Sequence, residues 1–167
     1  MAQSESENFV TSSDVQFELI LDNVMGGIST AELDTTEDDE GNSVLNFDGQ
    51  LSLENNGGFA MFRGTIGELC KGYDQIHFNA RTDNPERTYK TLVSTGPNSG
   101  FYDYSIALEE EYKSFIIDLK DMSYQFMGWG MSWMKGPSGD KVRQVGMTIY
   151  DKNTDPFQVD IKEIQCV

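Results

Sequence analysis

The residues that could do chemistry are few in kind and scattered in place. Histidine occurs once, as His77, and cysteine twice, as Cys70 and Cys166. A serine or cysteine hydrolase needs a nucleophile, a base and a group that orients the base. His77 lies on the polar side of the alternating run Gln75 to Ala80 with no nucleophile motif beside it, and reads as a surface histidine. One histidine and two cysteines also fall short of most zinc-site spacings. No Gly-Lys-Ser/Thr phosphate loop occurs and no Gly-x-Gly-x-x-Gly follows a strand pattern, so nucleotide binding by a known motif is unsupported. The 28 acidic residues offer many carboxylate pairs for glycoside hydrolysis, Glu54 and Asp118 among them, but no spacing singles one out. Asp34, Glu37, Asp38, Asp39 and Glu40 could offer oxygen ligands to calcium. They lack the EF-hand pattern, and Glu32 to Glu40 reads as a solvated loop between strands. The expectation is a chain without catalysis, metal or cofactor. The two cysteines are read as free thiols in a reducing compartment, the alternative being a Cys70–Cys166 disulfide.

Two features point to binding instead. Both tryptophans fall in the glycine-broken stretch Tyr124 to Met134. Tyr124, Phe126, Trp129 and Trp133 could form an adaptable apolar patch for a protein partner, or a stacking platform for a sugar ring. The other reading of this stretch is a crossover covering one end of the domain. The second feature is Arg63, which shares strand parity with Phe59 and Met61. If that face points inward, Arg63 needs an acidic partner, because an unpaired buried charge is costly. Asp22 and Glu54, each beside a Gly-Gly pair, are the candidates, so Arg63 is expected to tie the two turns together unless the strand ends and leaves it exposed.

Charge narrows the partner class. The formal net charge is −16, and residues 1–62 hold 13 acidic residues and no Lys or Arg. Such a surface repels nucleic acid and anionic lipid, which need clustered cations. The longest uninterrupted apolar stretch is Phe59 to Phe62, far short of the roughly 20 residues of a membrane-spanning helix. Without an apolar signal region or an Arg-rich presequence, the chain as given is expected to be cytoplasmic, or to have lost a presequence on the way to an organelle.

The elements that must position these residues read as strands. Val15, Phe17, Leu19 and Leu21 share one face; Val44 to Phe47, Leu51 to Leu53 and Phe59 to Arg63 come next. Ile76, Phe78 and Ala80 alternate with polar neighbours, as do Tyr102, Tyr104, Ile106 and Leu108, then Phe115, Ile117 and Leu119. Val145, Met147 and Ile149, and then Phe157, Val159 and Ile161, complete the series. Period-two alternation at this spacing predicts an antiparallel β-sandwich or barrel. Ile66 to Lys71 could form a short helical turn. Asn55-Asn56-Gly57-Gly58 tolerate positive φ, so residues 51–63 read as a β-hairpin. Residues 1–13 are polar and expected to fray, leaving residues 14–167 as one domain.

Two segments carry a family resemblance. Asp22-Asn23-Val24-Met25-Gly26-Gly27-Ile28-Ser29, with Ser52-Leu53-Glu54-Asn55-Asn56-Gly57-Gly58-Phe59-Ala60 and Arg63 after it, resembles the signature of the complex I intermediate-associated protein family. The likeness spans about residues 16–165, and its second half departs from the family pattern in several loops. It implies an all-β, galactose-binding-like jelly roll of antiparallel sheets. It further implies a non-catalytic, chaperone-like role in assembling a respiratory or other multisubunit complex through protein partners. Because many carbohydrate-binding modules share the fold, a sugar ligand is the alternative by analogy. Asp22, Asn23, Met25, Gly26, Gly27, Ser29, Glu54, Asn55, Asn56, Gly57, Gly58, Phe59 and Arg63 are expected to be scaffold. The aromatic group from Tyr124 to Trp133 is expected to be the partner or ligand surface.

Overall fold

Period-two alternation resolves into strands whose odd or even residues meet in a single core. The computed structural model describes residues 7–96, 100–126, 129–131 and 135–167. Among these residues the strands are β1 (Gln16–Leu21), β2 (Thr30–Glu37), β3 (Ser43–Gln50), β4 (Ala60–Thr65), β5 (Gln75–Thr82) and β6 (Tyr89–Ser94), then β7 (Phe101–Ile106), β8 (Lys113–Asp118), β9 (Ser123–Phe126), β10 (Trp129–Met131), β11 (Gln144–Ile149) and β12 (Phe157–Cys166). They form a jelly-roll sandwich of two antiparallel sheets. One has seven strands in the order β1-β4-β11-β6-β7-β9-β10, the other five in the order β2-β3-β12-β5-β8. No helix among the described residues is long and apolar enough to cross a membrane.

The inner faces carry the residues that the alternation marks. Leu45 and Phe47 of β3, Ile76, Phe78 and Ala80 of β5, Val145, Met147 and Ile149 of β11, and Phe157, Val159 and Ile161 of β12 all lie in the core cluster. Phe47 meets Phe62 and Phe157 edge-on, with ring centroids 5.1 and 5.2 Å apart, an arrangement favoured by the ring quadrupoles. Burying these side chains is the main stabilising term of such a fold.

Several expectations are corrected. Residues 51–63 do not form a hairpin: β3 belongs to the five-stranded sheet and β4 to the seven-stranded one. Residues 51–59 are therefore a crossover between layers, with a turn at Glu54–Asn56 closed by the Gly57 N–H to Glu54 O at 3.0 Å. The inward parity of β4 is also the reverse of the one expected. Ala60 and Phe62 enter the core cluster, and Met61 and Arg63 point from the outer face. The acidic stretch expected to be a loop is in large part β2, an edge strand paired to β3 from Thr30↔Gln50 to Glu37↔Ser43. Its charges suit an edge, because they discourage pairing with other strands. Ile66 to Lys71 forms turns rather than a helix.

At the chain's beginning, Phe9 is fully buried, and its N–H donates to Ile164 O at 2.8 Å. Asn8 Nδ2 donates to Lys162 O at 3.0 Å, and the Ile164 N–H donates to Asn8 Oδ1 at 3.2 Å. Packing thus reaches back to residue 8, where β12 is bulged between Ile161 and Glu163. The cysteines are not free thiols. Cys70 and Cys166, 96 residues apart in sequence with Cα atoms 5.4 Å apart, form a buried disulfide that fastens the end of β12 to the turns after β4.

Candidate functional site

Asp22, not Arg63, joins the two Gly-Gly segments. β1 ends at Leu21 and the chain enters a 3-10 turn, Asp22–Met25, closed by Gly26 at φ 87°. The Gly27 N–H returns to Asp22 O at 2.9 Å. This folds the chain back so that the fully buried Asp22 carboxylate faces Ser29 and the crossover. Oδ1 accepts the Ser29 N–H at 3.0 Å, and Oδ2 accepts the Ser29 hydroxyl at 2.5 Å and the Gly58 N–H at 2.7 Å. The Phe59 N–H adds a fourth donor. Burial alone would raise this carboxyl's pKa, but the hydrogen bonds from Ser29, Gly58 and Phe59 outweigh it and hold the group below the ordinary carboxylate range. Ser29 passes the link on, its Oγ accepting the Ser52 N–H at 2.9 Å.

The same geometry explains the glycines. A Cβ on Gly27 would stand 2.7 Å from Asp22 Oδ1, and one on Gly57 would stand 2.5 Å from Oδ2. Asn55 and Asn56 hold left-handed φ of 57° and 61°, which asparagine tolerates better than most residues. They turn the crossover so that the Gly58 and Phe59 amides meet the carboxylate. Of the expected signature residues, Asp22, Gly27, Ser29, Gly57, Gly58 and Phe59 converge here, and Gly26 closes the preceding turn. Asn23, Glu54, Asn55 and Asn56 are exposed. Met25 is placed by its backbone alone.

Between the two turns lies an open cavity of about 690 Å³ lined by Ile28, Thr30, Gln50, Leu51, Ser52, Leu53, Glu54 and Thr154. Ile28 and Leu53 are 52% and 46% exposed, among the few large apolar side chains left in water within the described residues. Each adjoins in the chain a residue that the Asp22 network fixes, so the apolar pair is held in place before anything binds. Sequence reasoning placed Leu53 in a strand run, which the crossover replaces, and gave Ile28 no role beyond the signature segment. The available signal was an aliphatic residue set between turn residues, where no core position requires one.

Arg63 sits elsewhere. On the outer face of the seven-stranded sheet it lies opposite Glu18 and Gly146, its Nη1 donating to Gln144 Oε1 at 3.3 Å. Its Nε is buried without a hydrogen-bond partner among the described residues. Burial lowers its pKa, opposed by the Glu18 charge. The same face carries a second polar group. Lys90 Nζ donates to the Tyr150 hydroxyl at 2.7 Å, which donates to Asp103 Oδ2 at 2.6 Å. Burial and the Asp103 charge raise the Tyr150 pKa, keeping its proton in place. These groups satisfy one another, and Asp103 is only 4% exposed.

Of the expected aromatic surface, Tyr124 alone has a described side chain. Tyr124 of β9 packs against Tyr102, with ring centroids 5.0 Å apart and planes tilted at 54°. Phe126 and Trp129 face each other in the register of β9 and β10, with side chains outside the described set, and Trp133 lies outside the described residues.

Compared with solved structures, the fold is similar to the family 11 carbohydrate-binding module of the cellulosomal cellulase Lic26A-Cel5E of Clostridium thermocellum. That match has a TM-score of 0.70 at 9% identity and covers 100% of this chain and 96% of that one. It is also similar to the family 30 carbohydrate-binding module of the Clostridium thermocellum cellulase Cel9D-Cel44B, with a TM-score of 0.55 at 14% identity over 83% and 82% of the chains. An exo-β-agarase matches with a TM-score of 0.56 at 11% identity, over 98% of this chain and 26% of that one. At these identities the likeness is one of fold, the galactose-binding-like jelly roll. No curated protein matches the sequence. The profile of one sequence family matches residues 7–161, including both turns that converge on Asp22, and the chain belongs to that family, described as Complex I intermediate-associated protein 30 (CIA30).

Proposed function

We propose that this chain is a non-catalytic protein-binding factor that holds a partner during assembly of a multisubunit complex. The observation that carries the reading is the groove between the signature turns. It exposes Ile28 and Leu53 beside an open cavity, on a backbone locked by the buried Asp22 carboxylate. A solvent-exposed aliphatic pair has no stabilising role in a monomer and suits a partner's apolar anchor. The family description, which names an association with an intermediate of complex I, supports the same reading. Affinity capture from native lysate with the wild-type chain and with Leu53→Ser tests it. A defined set of proteins retained by wild type and lost by the variant is expected; identical sets would sink the proposal.

Carbohydrate binding is the second reading, favoured by the polar outer face of the seven-stranded sheet and by a similar module solved with a β-1,3-1,4-mixed-linked tetrasaccharide. The mutual pairing of Lys90, Tyr150 and Asp103 leaves that face fewer free groups for a sugar. Specific signals on a glycan array, with no protein captured through Leu53, would promote this reading over the first.

A further inference from the structure

The groove does not end at its apolar pair. Thr30 and Gln50, which line it, form one register row of β2 and β3, and the next rows along the same outer face are acidic. The first is Glu32–Asp48–Gln158, extended to Asp83 by the Gln158 N–H bond to Asp83 Oδ1 at 2.9 Å. The second is Asp34–Asn46–Asp160–Arg81. Five carboxylates therefore share this part of the sheet with one guanidinium, and Arg81 is already engaged by Asp160 at 3.0 Å. Asp160 also accepts Asn46 Nδ2 at 2.7 Å. Asp48 is left over: its Oδ1 is buried with no hydrogen-bond partner among the described residues. Burial and the charges of Asp160, Asp83, Asp34 and Glu32 push this carboxyl up to about 6. The face is overcharged for the chain's own needs, and it adjoins the apolar pair directly.

Resting on the protein-docking reading, we infer that the groove's occupant is an extended segment of a partner protein that carries cationic side chains beside its apolar anchor. The geometry sets the spacing. Successive rows on one face are two residues apart, about 6.8 Å along the strand, and an extended partner advances by the same amount every two residues. With an aliphatic or aromatic anchor between Ile28 and Leu53, the residue two positions on faces the Thr30–Gln50 row, a Lys or Arg four positions on meets Glu32 and Asp48, and another six positions on meets Asp34. The partner motif is thus apolar-x-x-x-cation-x-cation, in whichever chain direction the segment runs.

The test uses a fluorescein-labelled peptide library of this pattern, with Leu, Ile, Met or Phe as anchor, Ser or Thr as spacer and Lys or Arg as cation, synthesised in both directions. Binding to the intact chain is read by fluorescence polarisation. Saturable binding is expected, weakened about tenfold or more when both cations become Gln, by the double variant E32Q/D34N and by L53S. It should also weaken between low and high salt. Circular dichroism confirms that the variants, all at exposed positions, stay folded. If the Gln peptides bind equally well while L53S still abolishes binding, the cationic inference falls and the docking groove survives. If no library member binds, the inference is overturned; if binding is indifferent to L53S, the groove reading falls with it.

Discussion

Replacing Asp22 by Asn should cost far more stability than a one-atom exchange suggests. The carboxylate accepts four donors, from the Ser29 amide and hydroxyl, the Gly58 amide and the Phe59 amide. An amide in its place keeps one oxygen and sets an NH2 group against donors at the other. The Ser29 hydroxyl can turn to accept, but the Gly58 N–H cannot. One or two charge-assisted bonds are lost, at about 1.5–3 kcal/mol each, and a donor is left unsatisfied. The expected destabilisation is about 2–4 kcal/mol, and Asp22→Ala should reach about 3–5 kcal/mol. Urea unfolding at pH 7 measures this as a fall in midpoint at unchanged slope. The pH dependence is a second check. Because the folded pKa of Asp22 lies below its ordinary 3.8, the carboxylate's contribution is fully present above about 3.8 and is lost as pH falls through the lower folded value. The gap between wild type and Asp22→Asn should therefore hold steady from pH 7 to 5 and close only in strong acid. A loss below about 1 kcal/mol, or a gap that closes near neutrality, would refute the assignment of Asp22 as the joint between the turns.

Three further outcomes rest on named contacts. Gly57→Ala drives a Cβ to 2.5 Å from Asp22 Oδ2 and should cost about 2 kcal/mol or more. Gly41→Ala, at φ 82° with nothing within 4 Å, should cost only the left-handed backbone penalty of about 1–2 kcal/mol, and thermal melts of the pair compare them. Asp48→Asn should stabilise the fold above pH 6. The shift from 3.8 to about 6 corresponds to about 3 kcal/mol at full effect, which screening at a partly exposed carboxyl cuts to about 1–2 kcal/mol. Since that pKa is raised, wild-type stability should rise as pH falls from 7 towards 5 while the variant's does not, as urea midpoints would register. Reducing Cys70–Cys166, which spans 96 residues, should cost about 2–4 kcal/mol, and intact mass after alkylation without reductant should show no free thiol.

The sandwich was legible because its inner faces are written in period two. Ile76, Phe78 and Ala80, or Val145, Met147 and Ile149, could be assigned to a buried face from alternation alone. β2 was not legible: Glu32, Asp34 and Glu37 suit solvent, and at an edge strand the outer face and the free rim are both solvated, so acidity concealed a strand. The parity of β4 failed for a related reason. Met61 is 7% exposed on the outer face while Phe62 is buried in the core, so both faces look apolar and alternation carries no sign. The disulfide was hidden because proximity across 96 residues is a property of the closed sandwich. At the candidate site the Gly-Gly pairs were visible and their convergence was expected, but through Arg63. The carboxylate that joins them does so through backbone amides, which leave no mark in the sequence.

If a partner seats on Ile28 and Leu53 between the turns, photo-crosslinking from position 53 should capture it. A benzophenone amino acid is placed there, and a second chain carries it at Ile116, a control of comparable exposure at 61% on β8. Both are irradiated in native lysate and the adducts are identified. One recurrent protein adduct is expected at position 53, absent at 116 and lost when the Asp22→Ala change unlocks the turns. Equal labelling at both positions, or labelling at 53 that survives the loss of Asp22, would overturn the docking assignment.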